Sequence, residues 1–234
     1  MNNNTLQLKI KQRLNKLDSH DYDNIEKWQI VEAFNKAQKD WCRRQLHGTN
    51  QKSEGDEQSI RRIDDLQILL VDKELSLSNK GLYSQSEVLP TNYFQWKRVD
   101  INGNSKCCPR GKNFVVYLAE EANVNELLRD ELKKPNYEWG ETFCTLKDNR
   151  VNIFTNAEFG ITKAILVYYR LPRNIEIKDV TSPDSLTKST QEIECEFGDS
   201  IAEVIVDEAV KILAGDIADY NTLQNNSSNV ENNN

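Results

Sequence analysis

The chain has 234 residues, 38% hydrophobic and 29% charged, with a formal net charge of −7 at pH 7. Seven Phe, eight Tyr and four Trp supply material for a packed core, which excludes wholesale disorder. No stretch approaches the ~18 apolar residues of a membrane span, and an acidic chain is unsuited to wrapping DNA phosphates as its main task.

The start, Met1-Asn2-Asn3-Asn4-Thr5, lacks the basic head and apolar block of a secretory signal. All five prolines lie after residue 89, so the first part is free to be helical. Leu6, Leu8, Ile10, Leu14 and Leu17 predict a short helix over 5–17. Asp23 and Glu26 have the spacing of a capping box. Ile25, Trp28, Val31, Phe34, Ala37 and Trp41 then recur at steps of three and four, one apolar stripe of an amphipathic helix. His47-Gly48 ends it, and 49–59, polar and containing Gly55, predicts an exposed loop.

Strand signals follow. They cover 66–71, then 76–86 with a turn at Gly81, then a bend at 88–94 leading into 96–101. Asn102-Gly103 is a tight-turn signal. A strand over 113–118 precedes a helix over 120–133, which stops before Pro135. Segments 142–146 and 150–154 flank Lys147-Asp148-Asn149, a three-residue hairpin loop. After a turn at 156–160, the β-branched and aromatic run 161–169 predicts a strand buried on both faces. These three strands read as an antiparallel meander.

Leu171-Pro172 breaks the sheet, and 175–191 reads as irregular. Gly198-Asp199-Ser200 opens the last helix, with Ser200 and Glu203 at capping-box spacing. Ile201, Val204, Ile205, Ala209, Ile212 and Leu213 form its apolar face; Glu203, Asp207 and Lys211 face away, and Gly215 ends or kinks it. Six of the 26 asparagines stand in the last ten residues, a low-complexity tail. The fold class is α+β: amino-terminal amphipathic helices, a central antiparallel β-meander and a carboxyl-terminal helix. One domain spans 1–220 (helical 5–47, polar loop 48–60, β-rich 61–175, connecting segment 176–198, helix 199–220), followed by the tail 221–234.

Catalytic constellations are scarce. Phosphate-loop, dinucleotide, nucleophile-elbow and zincin motifs are missing from the sequence. The only histidines, His20 and His47, stand in a polar linker and at a helix end, where the dipole gives His47 a structural reason. The five cysteines, Cys42, Cys107, Cys108, Cys144 and Cys195, have no zinc-ligand spacing. Their odd number without a signal points to buried or idle thiols in a reducing compartment. Asp64-Asp65, Glu120-Glu121 and Glu192/Glu194/Glu196 could do acid/base or metal work, but in so acidic a chain they read as solvated faces. Tyr168-Tyr169-Arg170 reads as core rather than a nucleic-acid patch, and Arg43-Arg44 and Arg61-Arg62 as solvated helix faces. No catalytic, cofactor-binding or metal residue is assigned.

Three elements carry a resemblance when taken in order. They are the bend Leu89-Pro90-Thr91-Asn92-Tyr93, the strand exit Tyr168-Tyr169-Arg170-Leu171-Pro172 and the helix Ile205-Val206-Asp207-Glu208-Ala209-Val210. Together with the amino-terminal helices they span about 5–220, and the chain resembles the head-to-tail adaptor, or ring, proteins of short-tailed bacteriophages. It is most similar to those of crAss-like phages, which share its Asn/Lys/Ile bias. The polar loop 49–59 and segment 178–197 depart from shorter adaptors.

The resemblance implies a structural virion protein made in the host bacterial cytoplasm, without enzymatic activity, cofactor or membrane partner. It implies a ring of about twelve copies below the portal, which extends the DNA channel and offers a platform for other tail ring proteins. Passing genomic DNA would be repelled by the acidic charge rather than bound by sequence. Family members reach the portal or a neighbour with terminal segments, which makes Tyr220, Asn221, Leu223 and Val230 the partner-binding candidates. Trp28, Trp41, Trp96 and Trp139 are candidates for the ring interface, with core packing competing for most of them. Another tail ring or tube component, a small carboxylate- and metal-dependent enzyme and a monomeric peptide- or glycan-binding module are the alternatives.

Overall fold

The computed structural model describes residues 1–14, 25–47, 64–105, 108–181 and 188–216. In chain order its elements are α1 (Asn3–Leu14), α2 (Lys27–His47), β1 (Leu70–Glu74), β2 (Leu77–Asn79), β3 (Tyr83–Ser86), β4 (Tyr93–Ser105), β5 (Cys108–Leu118), α3 (Val124–Arg129), β6 (Glu141–Lys147), β7 (Arg150–Phe154), β8 (Gly160–Arg170) and α4 (Asp199–Asp216). The fold is α+β, in two units: Met1–Ile68 with Pro172–Asn234, and Leu69–Leu171.

The first unit is helical, and it is built from the two ends of the sequence. Leu6, Ile10 and Leu14 bury one stripe of α1, while Leu8 points out. On α2 the buried set is wider than the sequence stripe: Ile30, Val31, Ala33, Phe34, Ala37, Gln38, Trp41 and Cys42. Its start lies three residues beyond the expected cap. Gln29, at the third helical position, accepts the Glu26 N–H through Oε1 at 2.9 Å, the return half of a capping box with Glu26 as cap. Asp23 is outside the described residues.

Helix α4 packs on both α1 and α2. Ala202, Ile205, Ala209 and Leu213 form one buried row, with Val206 and Val210 beside it. Two expectations are corrected here. The helix begins at Asp199, with the Ala202 N–H bonded to Gly198 O at 2.9 Å, so Ser200 lies inside the first turn and is not the cap. Glu203 and Asp207 do not face away: Lys9 and Arg13 of α1 bind the Glu203 carboxylate, and Arg13 Nη1 lies 2.6 Å from Asp207 Oδ1. An apolar stripe marks a buried face, but long cations on a neighbouring helix can reach carboxylates at its margin.

The segment between β8 and α4 is irregular, as its composition predicts, and side-chain amides of the helices hold it. Asn35 donates from Nδ2 to Ile175 O at 3.3 Å and accepts the Ile175 N–H at 2.8 Å, as a strand neighbour would. Gln38 donates to Arg173 O at 2.8 Å, and Asn3 donates to Glu176 O at 3.0 Å and Ile193 O at 3.1 Å. Two isolated antiparallel bridges, Glu176↔Ile193 and Thr181↔Lys188, fold the segment on itself.

The second unit is one eight-stranded mixed sheet in the order β1-β8-β4-β5-β6-β7-β3-β2. Its two edge strands, β1 and β2, are joined by only Leu75 and Ser76. The Leu75 N–H still bonds Ala164 O beside β1, at 2.9 Å, while Ser76 O already accepts the Glu87 N–H next to β3, at 3.0 Å. Two residues span less than ~10 Å, so the sheet curls into an open barrel. Its interior holds Leu75, Leu89, Val99, Ile101, Phe114, Cys144, Val151, Ile153, Phe159, Ala164, Leu166 and Tyr168.

Several strand expectations are revised. Residues 64–69 are helical, ending in a 3₁₀ turn over Gln67–Leu69, and the strand begins only at Leu70. Asn102-Gly103 is not a turn: β4 runs on to Ser105 through a bulge. The glycine is required by packing, since a Cβ there would lie 2.9 Å from the Phe114 ring and 3.1 Å from the Phe159 ring. These two rings stack 4.4 Å apart.

The loop between β6 and β7 has two residues rather than three, since Lys147 pairs with Arg150. Asp148 and Asn149 both adopt positive φ, 52° and 57°, as a type I′ turn needs. The helix expected over 120–133 is broken into a 3₁₀ turn (Glu121–Asn123) and the six-residue α3, both with every residue at least partly exposed, so no buried stripe extends it. The three-stranded meander is corrected as well: β6 and β7 form the hairpin, but β8 leaves β7 to pair with β1 and β4. The burial expected of β8 holds in its second half, where Leu166, Val167, Tyr168 and Tyr169 are consecutively buried.

Candidate functional site

The groups that could do chemistry are dispersed. Among the described residues no cluster of three or more His, Cys, Asp or Glu side chains could hold a metal ion. Asp64 accepts from Gln67 Nε2 at 2.8 Å. Glu121 faces Lys147 at 3.4 Å, and Glu196 accepts the Arg173 N–H at 3.0 Å. Glu192 lies 3.4 Å from Asn3 Nδ2. The three acidic groups thus do local structural work in separate places. His20, Arg61 and Arg62 lie outside the described residues, as does the side chain of His47, the last residue of α2.

Cys42, Cys144 and Cys195 are free thiols and buried. Burial pushes Cys42 and Cys144 up to about 12, and it raises Cys195 as well. A thiol held protonated is a poor nucleophile. The side chains of Cys107 and Cys108 lie outside the described residues.

Arg43 and Arg44 part company. Arg44 binds Glu208 of α4 through both nitrogens of its fork, at 3.0 and 3.1 Å, and Glu208 is only 7% exposed. Arg43 is largely exposed and stands 3.9 Å from Asp40. Of the tryptophans, Trp41 is core, edge-on to Phe197 at 5.3 Å. Trp96 packs partly buried against the barrel interior, Trp28 is half-buried, and Trp139 is 53% exposed.

Two of the sequence elements singled out above meet in the barrel unit. Tyr93 pairs in register with Arg170, and its ring stacks on Tyr168 at 5.6 Å. The Tyr168 hydroxyl donates to Asn92 Oδ1 at 3.0 Å, and the Leu171 N–H donates to Asn92 O at 2.8 Å. Pro90 O accepts the Tyr93 N–H at 2.9 Å and closes the bend. The bend and the strand exit are therefore one structural joint. The third element, on α4, buries Ile205, Val206, Ala209 and Val210 in the helical unit.

Two surface features stand out. In the barrel unit, Val115, Tyr117 and Leu118 of β5 are exposed, as are Leu132 and Trp139 in the connection to β6. In the helical unit, a cavity of about 720 Å³ opens between one face of α2 and the stretches 174–181 and 188–190. Lys36, Lys39 and Arg43 line it from α2, and Lys188 from the other wall. Glu32 and Asp40 of α2 and Glu176 of the other wall stand among these cations, so the lining is mixed in charge; sequence reasoning missed the cavity because its two walls lie far apart in the chain. No protein-family model matches the chain, and no curated protein is significantly similar to it. Among the described residues no helix is long and apolar enough to cross a membrane. Tyr220, Asn221, Leu223 and Val230 lie outside the described residues.

Proposed function

We propose that the chain is a non-catalytic connector of a short-tailed bacteriophage, a subunit of a ring of about twelve copies below the portal in the virion. The observation that carries this reading is the joint of Asn92 and Tyr93 with Tyr168 and Leu171. Two elements 75 residues apart, each singled out for its likeness to adaptor proteins, form one packed unit. Two further features support the reading. Exposed apolar side chains on β5 and at Leu132 and Trp139 offer material for a heterologous subunit interface. The net charge of −7 per copy repels DNA phosphates passing through a channel and opposes ring closure in the absence of a template. A portal would offset that repulsion by raising the local concentration of subunits.

In this reading the segment containing Tyr220, Asn221, Leu223 and Val230 docks the portal. Co-sedimentation with portal-bearing heads tests it, comparing the full chain with a form lacking 220–234, each checked by circular dichroism. The full chain should pellet with the heads and the shortened form much less. Equal binding would dismiss the tail as the docking segment, and no binding by either would count against the connector reading.

A further inference from the structure

The end of β5 joins two features, one apolar and one acidic. The ladder of β5 with β4 finishes at Ile101↔Phe114, while its ladder with β6 runs from Val115↔Glu141 to Leu118↔Cys144. Past Phe114, β5 therefore has a strand on one side only among the described residues. Val115 and Tyr117, two apart and so on one face of the strand, are each 55% exposed. Trp139, also half exposed, adjoins them, because the Val115 N–H bonds Gly140 O at 2.8 Å. Contiguous exposed apolar groups of this kind mark interaction surfaces.

The connection from β5 to β6, residues 119–141, carries seven carboxylates against three cations. More than half of the chain's net charge of −7 thus sits in this one stretch. Three of the seven are paired: Asp130 with Lys133 at 3.7 Å, Glu131 with Lys134 at 3.4 Å and Glu121 with Lys147 at 3.4 Å. Glu120, Glu126, Glu138 and Glu141 have no cation at ion-pair distance among the described residues. Of the other cations at hand, Lys112 donates to the backbone oxygen of Glu138, at 2.6 Å, and Arg129 stands exposed. Glu141 is in register with Val115, so a carboxylate borders the apolar group directly.

We propose that this face, centred on Val115, Tyr117 and Trp139, is the docking site for a basic amphipathic segment of another protein. Such a segment sets apolar side chains on those three residues and Lys or Arg against Glu138 and Glu141. Charge complementarity decides the occupant. A purely apolar segment would cover the carboxylates without pairing them, and an acidic one is repelled. A second copy of the chain, itself at −7, is opposed by the same field. The proposal does not rest on the connector reading, which would supply such a partner in the portal or the next tail protein.

The test uses the full-length chain and three synthetic peptides of equal length: an amphipathic Leu/Lys peptide, its Leu/Glu twin and a Ser/Lys peptide of the same charge as the first. Fluorescence anisotropy should show the Leu/Lys peptide binding at least tenfold more tightly than either of the others. Hydrogen exchange read by mass spectrometry should place its footprint on 115–119 and 138–142, with α2 and α4 unchanged. Val115→Ser, Tyr117→Ser and Trp139→Ser together should weaken binding at least tenfold. Glu138→Gln with Glu141→Gln should weaken it at least threefold and flatten its salt dependence, each variant being checked by circular dichroism. Equal binding of the Ser/Lys peptide would reduce the effect to net charge and overturn the proposal. A footprint elsewhere in the wild type, or no binding, would overturn it without recourse to any variant. So would self-association of the chain that the triple variant abolishes, which would assign the face to a second copy.

Discussion

The helical unit and the barrel unit solve the same problem with different chemistry. The barrel is one continuous stretch, 69–171, built around one apolar cluster, and the polar side chains it buries are small and uncharged: Ser84, Ser86, Thr142, Thr145, Asn152 and Thr155 among the described residues. Backbone ladders pair its strands, Ser86 Oγ accepts the Val151 N–H and Thr142 Oγ1 donates to Phe154 O beside them, and its two edges are brought together by a two-residue link. The helical unit joins stretches far apart in sequence, and polar side chains sit at the joins. Asn3, Asn35 and Gln38 hold the irregular segment, and Lys9, Arg13 and Arg44 bind carboxylates of α4. Regular strands bond one another through the backbone. A segment without regular structure must find its partners among side chains.

That contrast can be tested by substitution. The largest loss is expected from Ile205→Asp, which puts a charge into the fully buried row of α4. It should cost several kcal/mol and leave the protein insoluble or melting far below wild type by circular dichroism. Unchanged solubility and melting would show that the α4 row is not the centre of the helical unit. In the barrel, Leu166→Ala removes a fully buried side chain and should cost about 2–5 kcal/mol in urea unfolding. A loss well under that would mean that the curled sheet closes over the cavity.

The buried thiol of Cys144 ties barrel stability to pH. Its folded value lies at about 12 against an ordinary 9.0, so the unfolded chain releases the proton first as pH rises. The stabilisation it contributes is complete below about pH 9 and is lost as pH climbs towards 12. The urea midpoint of the wild type should therefore fall more steeply between pH 8 and pH 10.5 than that of Cys144→Ala. Parallel pH profiles would place the thiol in contact with water.

The smallest effect belongs to the amide clasps. Asn35→Asp keeps the acceptor for the Ile175 N–H and removes the donor to Ile175 O. A loss of about 1 kcal/mol is expected, with faster hydrogen exchange confined to residues near 175. Unchanged exchange there would mean that the segment holds itself without the helix.

The two units also differed in how far they could be read from sequence. Apolar periodicity located the three long helices of the described residues and most strands, because burial of one face leaves a repeat of 3.6 or 2. Pairing left no such trace: nothing in 161–169 says that β8 passes over β7 to reach β1 and β4. Gly103 read as a turn because a glycine needed for ring packing looks the same as one needed for positive φ. The Glu203 and Asp207 contacts were hidden because they depend on which face of α1 comes alongside α4. The cavity beside α2 depends on a wall supplied by residues of 174–181 and 188–190, far from α2 in sequence, and only the folded chain brings the two together.

The connector reading is the central claim, and native mass spectrometry of the chain mixed with purified portal protein tests it most directly. The account predicts small species for the chain alone and, with portal, a closed complex carrying about twelve copies per portal ring. A chain that keeps its own mass at every ratio of portal, with no complex formed, would contradict it.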